Sequence, residues 1–282
     1  VRTVVNVEIF MQAKNYAAQI IDQIDRNGFY TSLSGCTNAP QDKIKSFLAD
    51  AKGLISRGLS FLLPDGGVVL DSGLMGITHK DISLPFPITL VSSPNIDGHN
   101  FLTVAFEFKT DDKIRLIVFF KTNKSAWILI PIIGFIEKNT PISQINKKPL
   151  YLVRYSYPIS EEVGNIEFWQ NMMDIGCYGL FELLEALTCR NVEQTIIQKC
   201  DKALNARRIN KGKLPLYEER ILTIKVNAKQ GTGTRTGTHE SPRQHLRRGH
   251  IRRLESGNIW VNACVVGSSE KGVIKKSYNV AA

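Results

Sequence analysis

The stretch GTHESPRQHLRRGHIRRLESGNIWVNACVV, from Gly237 to Val266, gathers three of the chain's five histidines and a run of arginines before it turns abruptly apolar. Between Lys229 and Ser256 stand Lys229, Arg235, Arg243, Arg247, Arg248, Arg252 and Arg253, opposed only by Glu240 and Glu255. Arginine dominates here, and its planar fork holds a phosphate or carboxylate through two parallel hydrogen bonds, which a lysine point charge cannot do.

Three chemistries use such residues. A metal site would draw on His239, His245 and His250, but these sit at irregular intervals among arginines that repel a cation. A metal-independent ribonuclease would use His245 and His250 as base and acid, with Arg248 on the charge developing at phosphorus. The residue types are present, although no spacing rule singles them out. Binding of a phosphate backbone or an acidic peptide needs only clustered donors on an exposed hairpin, and Arg243, His245, Arg247, Arg248, His250, Arg252 and Arg253, with Trp260 beside them, supply these. The bland alternative is that the arginines satisfy carboxylates and carbonyls of the body and lock the C-terminal hairpin onto it. The last two readings are compatible.

Other catalytic signatures are lacking: the sequence has no phosphate-binding G-x-x-x-x-G-K-[ST] loop, no H-E-x-x-H and no G-x-S-x-G. GLMGITHK and GTGTRTG are rich in glycine but do not sit between a strand and a helix. The pairs Glu161-Glu162 and Glu218-Glu219 read as solvated ends of elements. Sequence therefore assigns no catalytic residue, metal or cofactor, and binding is the favoured activity.

The elements that must position the cluster follow from periodicity. HIRRL, ESGN and IWVNACVVG read as a β-hairpin, with Gly257 free to take the positive φ of the turn. The turn type decides whether Trp260 faces Arg252 or Arg253, and either guanidinium could lie over the indole, a contact worth about 0.5 to 2 kcal/mol. Upstream, Phe10, Ala13, Ala17, Ile20 and Ile24 recur at helical spacing, with Asn27-Gly28 as the stop. Ile44, Leu48, Ala51, Ile55 and Leu62 predict a second helix, opened by Pro40 and closed by Pro64-Asp65-Gly66-Gly67.

From Phe101 to Phe135 the period shortens to that of strands, broken at TDDK and TNKS, and PLYLVRYSYPI adds another. The run from Trp127 to Ile133 is apolar on both faces and predicts a central strand covered by helices. Helical spacing returns through Phe168, Met172, Ile175 and Leu184, and a more basic helix is predicted over 191–213. YEERILTIKVN is a strand.

The expected architecture is α+β: an antiparallel, twisted sheet built from 84–159, packed with N-terminal and central helices, with C-terminal strands near 219–227, 250–254 and 259–266 extending it. The expected organisation is an α+β body over 1–228, a flexible Gly/Thr loop over 229–242, and a basic hairpin segment over 243–282 packing on the same body as one domain.

The totals suit this picture. With 43% hydrophobic and 22% charged residues the chain has enough apolar side chain for a core, and its net charge of +10 creates a field that attracts polyanions and acidic protein surfaces. The five cysteines, without a C-x-x-C pair, argue against a disulfide framework. VRTVVNVEIF has no signal-peptide arrangement, and the longest apolar run, Ser125 to Ile136, is too short to span a bilayer, so a cytoplasmic protein without a membrane partner is expected.

NVE at Asn191 to Glu193, ALNARRINKGKLPLYEERILTI from Ala203 to Ile224, and the Gly237 to Gly267 stretch followed by KKSY together resemble the C-terminal half of a phage and prophage family. That family is named for a type V-A anti-CRISPR that suppresses production of an RNA-guided nuclease. The H-x-R-R-G-H-x-R-R core with W-V after it is its most specific part, and His245, Arg247, Arg248, Gly249, His250 and Trp260 occupy it. The resemblance implies a protein in the host cell cytoplasm that binds the nascent polypeptide of a defence nuclease on the ribosome and triggers loss of its message, with RNA as a second candidate partner.

Overall fold

A computed structural model describes residues 13–29, 33, 39–69, 83–108, 112–122, 125–137, 153–156, 165–225, 243–247, 250–261, 264–266 and 268–273, with 154–156, 243–247, 250, 264–266 and 268–273 described as backbone. The loop expected over 229–242 lies outside these residues.

The α+β class stands, with helices from the N-terminal and central parts of the chain packed on a large sheet. Helix α1 (Tyr16–Asp25) buries Tyr16, Ala17, Ile20, Ile21 and Ile24, and the chain leaves it through Asn27 at φ 57°. Helix α2 (Gln41–Arg57) buries Ile44, Leu48, Ala51 and Ile55. It ends earlier than its apolar pattern predicts. Gly58 takes an extended conformation, and the chain runs directly into strand β1 (Leu59–Leu62). A side chain at Gly58 would collide with Leu90 Cγ at 2.8 Å, so the glycine lets the helix end pass close over the sheet.

The strands that follow are β2 (Ile88–Ile96), β3 (His99–Glu107), β4 (Lys113–Thr122), β5 (Ile128–Leu129), β6 (Ile133–Glu137), β7 (Arg154–Ser156), β8 (Val192–Gln198) and β9 (Glu219–Ile224). They form one sheet in the order β7-β6-β4-β3-β2-β1-β9-β8, with β5 also on β4. The pairings are antiparallel except at β1, which runs parallel to both β2 and β9. The connection from Leu62 to Ile88 is long enough for the crossover that parallel neighbours require.

The Trp127–Ile133 run is buried as expected, but it lies toward the β7 edge. Pro131 interrupts it: three steps along β4 from Phe119 to Leu116 match five along the partner, from Leu129 to Gly134. Proline has no amide to donate, so the ladder bulges there.

Helix α3 (Ile166–Leu187) covers one face of the sheet, packing Trp169, Met173, Leu180 and Phe181 against Phe61, Val91, Phe101, Leu116 and Phe120. Helices α1 and α2 cover the other, against Leu90, Leu102, Val104, Ile117 and Phe119. The central strands are therefore apolar on both faces, which is why the middle of the sequence reads as near-continuous hydrophobic runs.

Beyond α3 the structure departs from the long basic helix predicted over 191–213. Val192–Gln198 is the edge strand β8, paired with β9, and only Lys202–Asn210 is helical, as α4. The β-branched residues Val192, Thr195, Ile196 and Ile197 favour the strand once β9 offers a ladder.

The C-terminal strands also diverge from expectation. Only β9 joins the large sheet. Strands β10 (Arg243–Arg247), β13 (Cys264–Val266) and β14 (Ser268–Val273) form a small three-stranded sheet, and β11 (His250–Leu254) pairs with β12 (Gly257–Val261) as a separate hairpin. Among the described residues no helix is long and apolar enough to cross a membrane.

Candidate functional site

The β11–β12 hairpin is closed by Glu255-Ser256, with Leu254 opposite Gly257 and Gly257 at φ 114°, so the glycine serves the turn as its position predicts. Its register pairs Ile251 with Trp260, Arg252 with Ile259 and Arg253 with Asn258. Trp260 thus faces neither arginine directly. Arg253 is its diagonal neighbour on the same face, and Arg252 belongs to the other. Both arginines are exposed.

The indole points into the body. Trp260 is 8% exposed and packs with Ala186 and Cys189, against Val192, Leu222, Ile224 and Ile251. Burial raises the Cys189 thiol above its ordinary pKa, with the Arg253 charge acting in the opposite direction, which places that guanidinium within electrostatic reach of the C-terminal end of α3.

A polar clamp fixes the same contact. The Asn191 side chain donates to the Trp260 carbonyl at 3.0 Å and accepts from the Trp260 amide at 2.9 Å, taking the place of a strand partner. The Arg190 amide donates to the Asn258 carbonyl at 3.0 Å, and Asn258 Nδ2 donates to Thr188 Oγ1 at 3.0 Å. The hairpin is therefore docked on the segment joining α3 to β8, without pairing to the edge of the large sheet.

Of the other residues singled out by sequence, Arg243, His245 and Arg247 occupy alternate positions of β10, where His245 pairs with Val266 and Arg247 with Cys264. His250 begins β11 opposite Val261. His245 and His250 thus belong to different small sheets. Arg248 and Gly249, like His239, lie outside the described residues. Among the described residues no three His, Cys, Asp or Glu side chains converge on a point that could hold a metal.

Sequence reading missed Glu219. Expected as a solvated end, it is 3% exposed at the start of β9, whereas Glu218 pairs with Arg220 at 2.6 Å. The Glu219 carboxylate accepts from the Lys14 amide at 2.9 Å and from the Asn15 amide and Ser92 hydroxyl, so it caps α1, whose own Asn15 supplies no side-chain cap. Alternation gave no signal for it, since Glu219 shares its face of β9 with Ile221 and Thr223, whereas Leu222 and Ile224 on the other face pack against the apolar clusters. A notch with a cavity volume of about 10 Å³ opens here between Asn15, Tyr16, Ser60, Gln198, Tyr217 and Glu219. It has room for no more than about one water molecule, so it favours a structural role for this carboxylate.

Burial raises the Glu219 pKa above the ordinary 4.5, more than its hydrogen bonds lower it. A folded-state pKa raised above the unfolded value contributes stability that is fully present below about pH 4.5 and is lost as the pH rises through the folded value. Urea midpoints of the wild type should therefore fall as the pH climbs above that point, and Glu219→Gln should flatten the decline. Parallel curves for the two proteins would remove Glu219 as its source.

Set against family models, curated protein sequences and solved structures, the chain matches none.

Proposed function

We propose that this is a binding protein that captures an anionic stretch of polypeptide on its C-terminal hairpin. The supporting observation is the division of labour within β11–β12: Trp260 and the Asn191 clamp hold the hairpin to the body, while Arg252 and Arg253 stand exposed. A guanidinium held on an anchored strand has lost part of its freedom before a ligand arrives, and this lowers the entropic cost of binding. Following the family resemblance, the polypeptide is the nascent chain of a host defence nuclease of the RNA-guided type V-A class, and its capture suppresses that nuclease's production in the host cytoplasm. The competing reading is RNA binding or cleavage through His245, His250 and Arg248.

Cell-free translation separates the two. A message encoding the N-terminal segment of such a nuclease fused to a reporter is translated beside an unrelated message, with wild-type protein, Arg252→Glu/Arg253→Glu or His245→Ala/His250→Ala. Wild type should lower reporter product and message selectively. Charge reversal should weaken this about tenfold or more, because each lost charge-assisted contact is worth about 1.5 to 3 kcal/mol. The histidine variant should keep most of the effect. Cleavage of naked RNA by wild type, abolished in the histidine variant, would establish the nuclease instead.

A further inference from the structure

Helix α4 is built to stand clear of the protein. It contains no buried residue, and only Asn205 and Arg208 are even half-buried. Most helices in proteins are stabilised by burying an apolar face. This one is held by polar clamps. Asp201 caps it by accepting from the Leu204 amide at 2.7 Å. Asn205 donates to the Leu216 carbonyl and accepts from the Leu216 amide, both at 2.8 Å, and Arg208 Nε donates to the Leu214 carbonyl at 2.8 Å. Gly212, at φ 65°, turns the chain back to make these contacts. The result is a braced finger, with Asp201, Asn205 and Arg208 on its inner side.

At 3.6 residues per turn the outer side carries Lys202, Ala203, Ala206, Arg207 and Asn210. Lys199, Lys202, Arg207, Lys211 and Lys213 are all exposed, and the ion pairs among the described residues include none of them. Asp201, the sole acid between Lys199 and Lys213, is engaged in the cap. Arg207 and Lys211 offset the negative end of the helix dipole, but Lys199 and Lys202 lie at its positive end, where a cation is unfavourable. Their placement does not serve the helix.

The outer side also indicates what it meets. The exposed aliphatics, Leu204 and Ile209, flank the inner side, so the outer face offers no bulky anchor for a protein partner. No aromatic side chain occurs between Lys199 and Lys213 on which the bases of a single strand could stack. Ala203 and Ala206 put no bulk on the outer side, so they let the helix backbone approach a ligand closely. Double-helical RNA is recognised largely by shape and phosphate contacts, which suits cations on either side of a smooth face.

We infer that α4 is a docking element for the phosphate backbone of double-helical RNA, distinct from the Arg252–Arg253 hairpin. The strand β8 separates the two elements: the hairpin is clamped at Asn191 and the finger begins after Gln198, roughly 20 Å away at about 3.3 Å per strand residue. Hairpin and finger can thus hold different partners at once.

The test is fluorescence anisotropy of the full chain with a blunt RNA duplex of about 20 base pairs, titrated with salt. The variants are Lys202→Ala/Arg207→Ala/Lys211→Ala/Lys213→Ala and Arg252→Ala/Arg253→Ala. The finger variant should bind about tenfold or more weakly, and its log–log salt slope should fall by about 2 to 3. The hairpin variant should stay within about threefold of wild type. Circular dichroism and the melting curve verify folding, and a variant with glutamine at the same four positions replaces the alanine set if that set unfolds. Absence of wild-type binding at about 100 mM salt, an unchanged finger variant, or equal or tighter binding of a DNA duplex or of single-stranded RNA overturns the assignment.

Discussion

Trp260→Ala is expected to release the C-terminal hairpin while the rest of the protein stays folded. The indole joins Ala186 and Cys189 in a small apolar cluster that meets the main core under α3 only through the half-buried Val69 and Leu222. Truncating a buried tryptophan typically costs about 3 to 5 kcal/mol, and here the loss falls on the local docking equilibrium. Hydrogen exchange should show the amides of 251–261 opening about a hundredfold or more faster, with those of β2, β3 and β4 unchanged. Suppression in the translation assay should be lost as well, because Arg252 and Arg253 would then ride on an unanchored strand pair. Undiminished protection across the hairpin would mean that the Asn191 clamp suffices without the indole.

The second large effect is expected at Gly179. A β-carbon there would lie 2.1 Å from Ser93 Oγ and 3.0 Å from Leu63 Cδ1, so α3 rests on β2 with no room for a methyl group. Thr103 Oγ1 donates to the Gly176 carbonyl at 2.7 Å one turn earlier and fixes the same close approach. Gly179→Ala gains helix propensity worth about 1 kcal/mol but must push the helix off the sheet, a strain of about 1 to 3 kcal/mol or more. Net destabilisation of up to about 2 kcal/mol in urea unfolding is the expected outcome. Ser93→Ala in the same chain should recover part of it, since it removes the nearest colliding atom. A stabilised Gly179→Ala protein would show that α3 shifts freely.

The residues that announced themselves in the sequence were those whose local pattern agrees with their burial. Ile20 and Ile24, and Ile44 through Ile55, are legible because one helical period runs through each, and the strands from Phe101 to Thr122 because polar breaks bound their apolar runs. The failures have a common physical origin. LSFL at β1 continues a helical apolar pattern without a break, and only Gly58 marks the change. VEQTIIQ in β8 is an edge strand exposed over most of its length, so it carries no inside–outside alternation to read.

The basic hairpin was found, along with its turn and Gly257, but the role of Trp260 was not. Beside arginines an indole suggests a stacking partner, and nothing local reveals that Ala186 and Cys189 wait beneath it. Glu219 and Asn191 were missed for the same reason. Each acts on a segment distant in the chain, Lys14 in one case and Trp260 in the other, and such pairings belong to the assembled topology.

The parallel seating of β1 between β2 and β9 constrains the order of assembly. The pairing of Ser60 with Glu219 joins segments far apart in the chain, so the ladder there cannot close until β9 has left the ribosome. The meander of β2, β3 and β4 can zip from neighbouring hairpins at once, whereas β8, β9 and the segment holding Trp260 are made later. On the proposed reading, a partner can be held at Arg252 and Arg253 only after both β9 and the hairpin that follows it have been made.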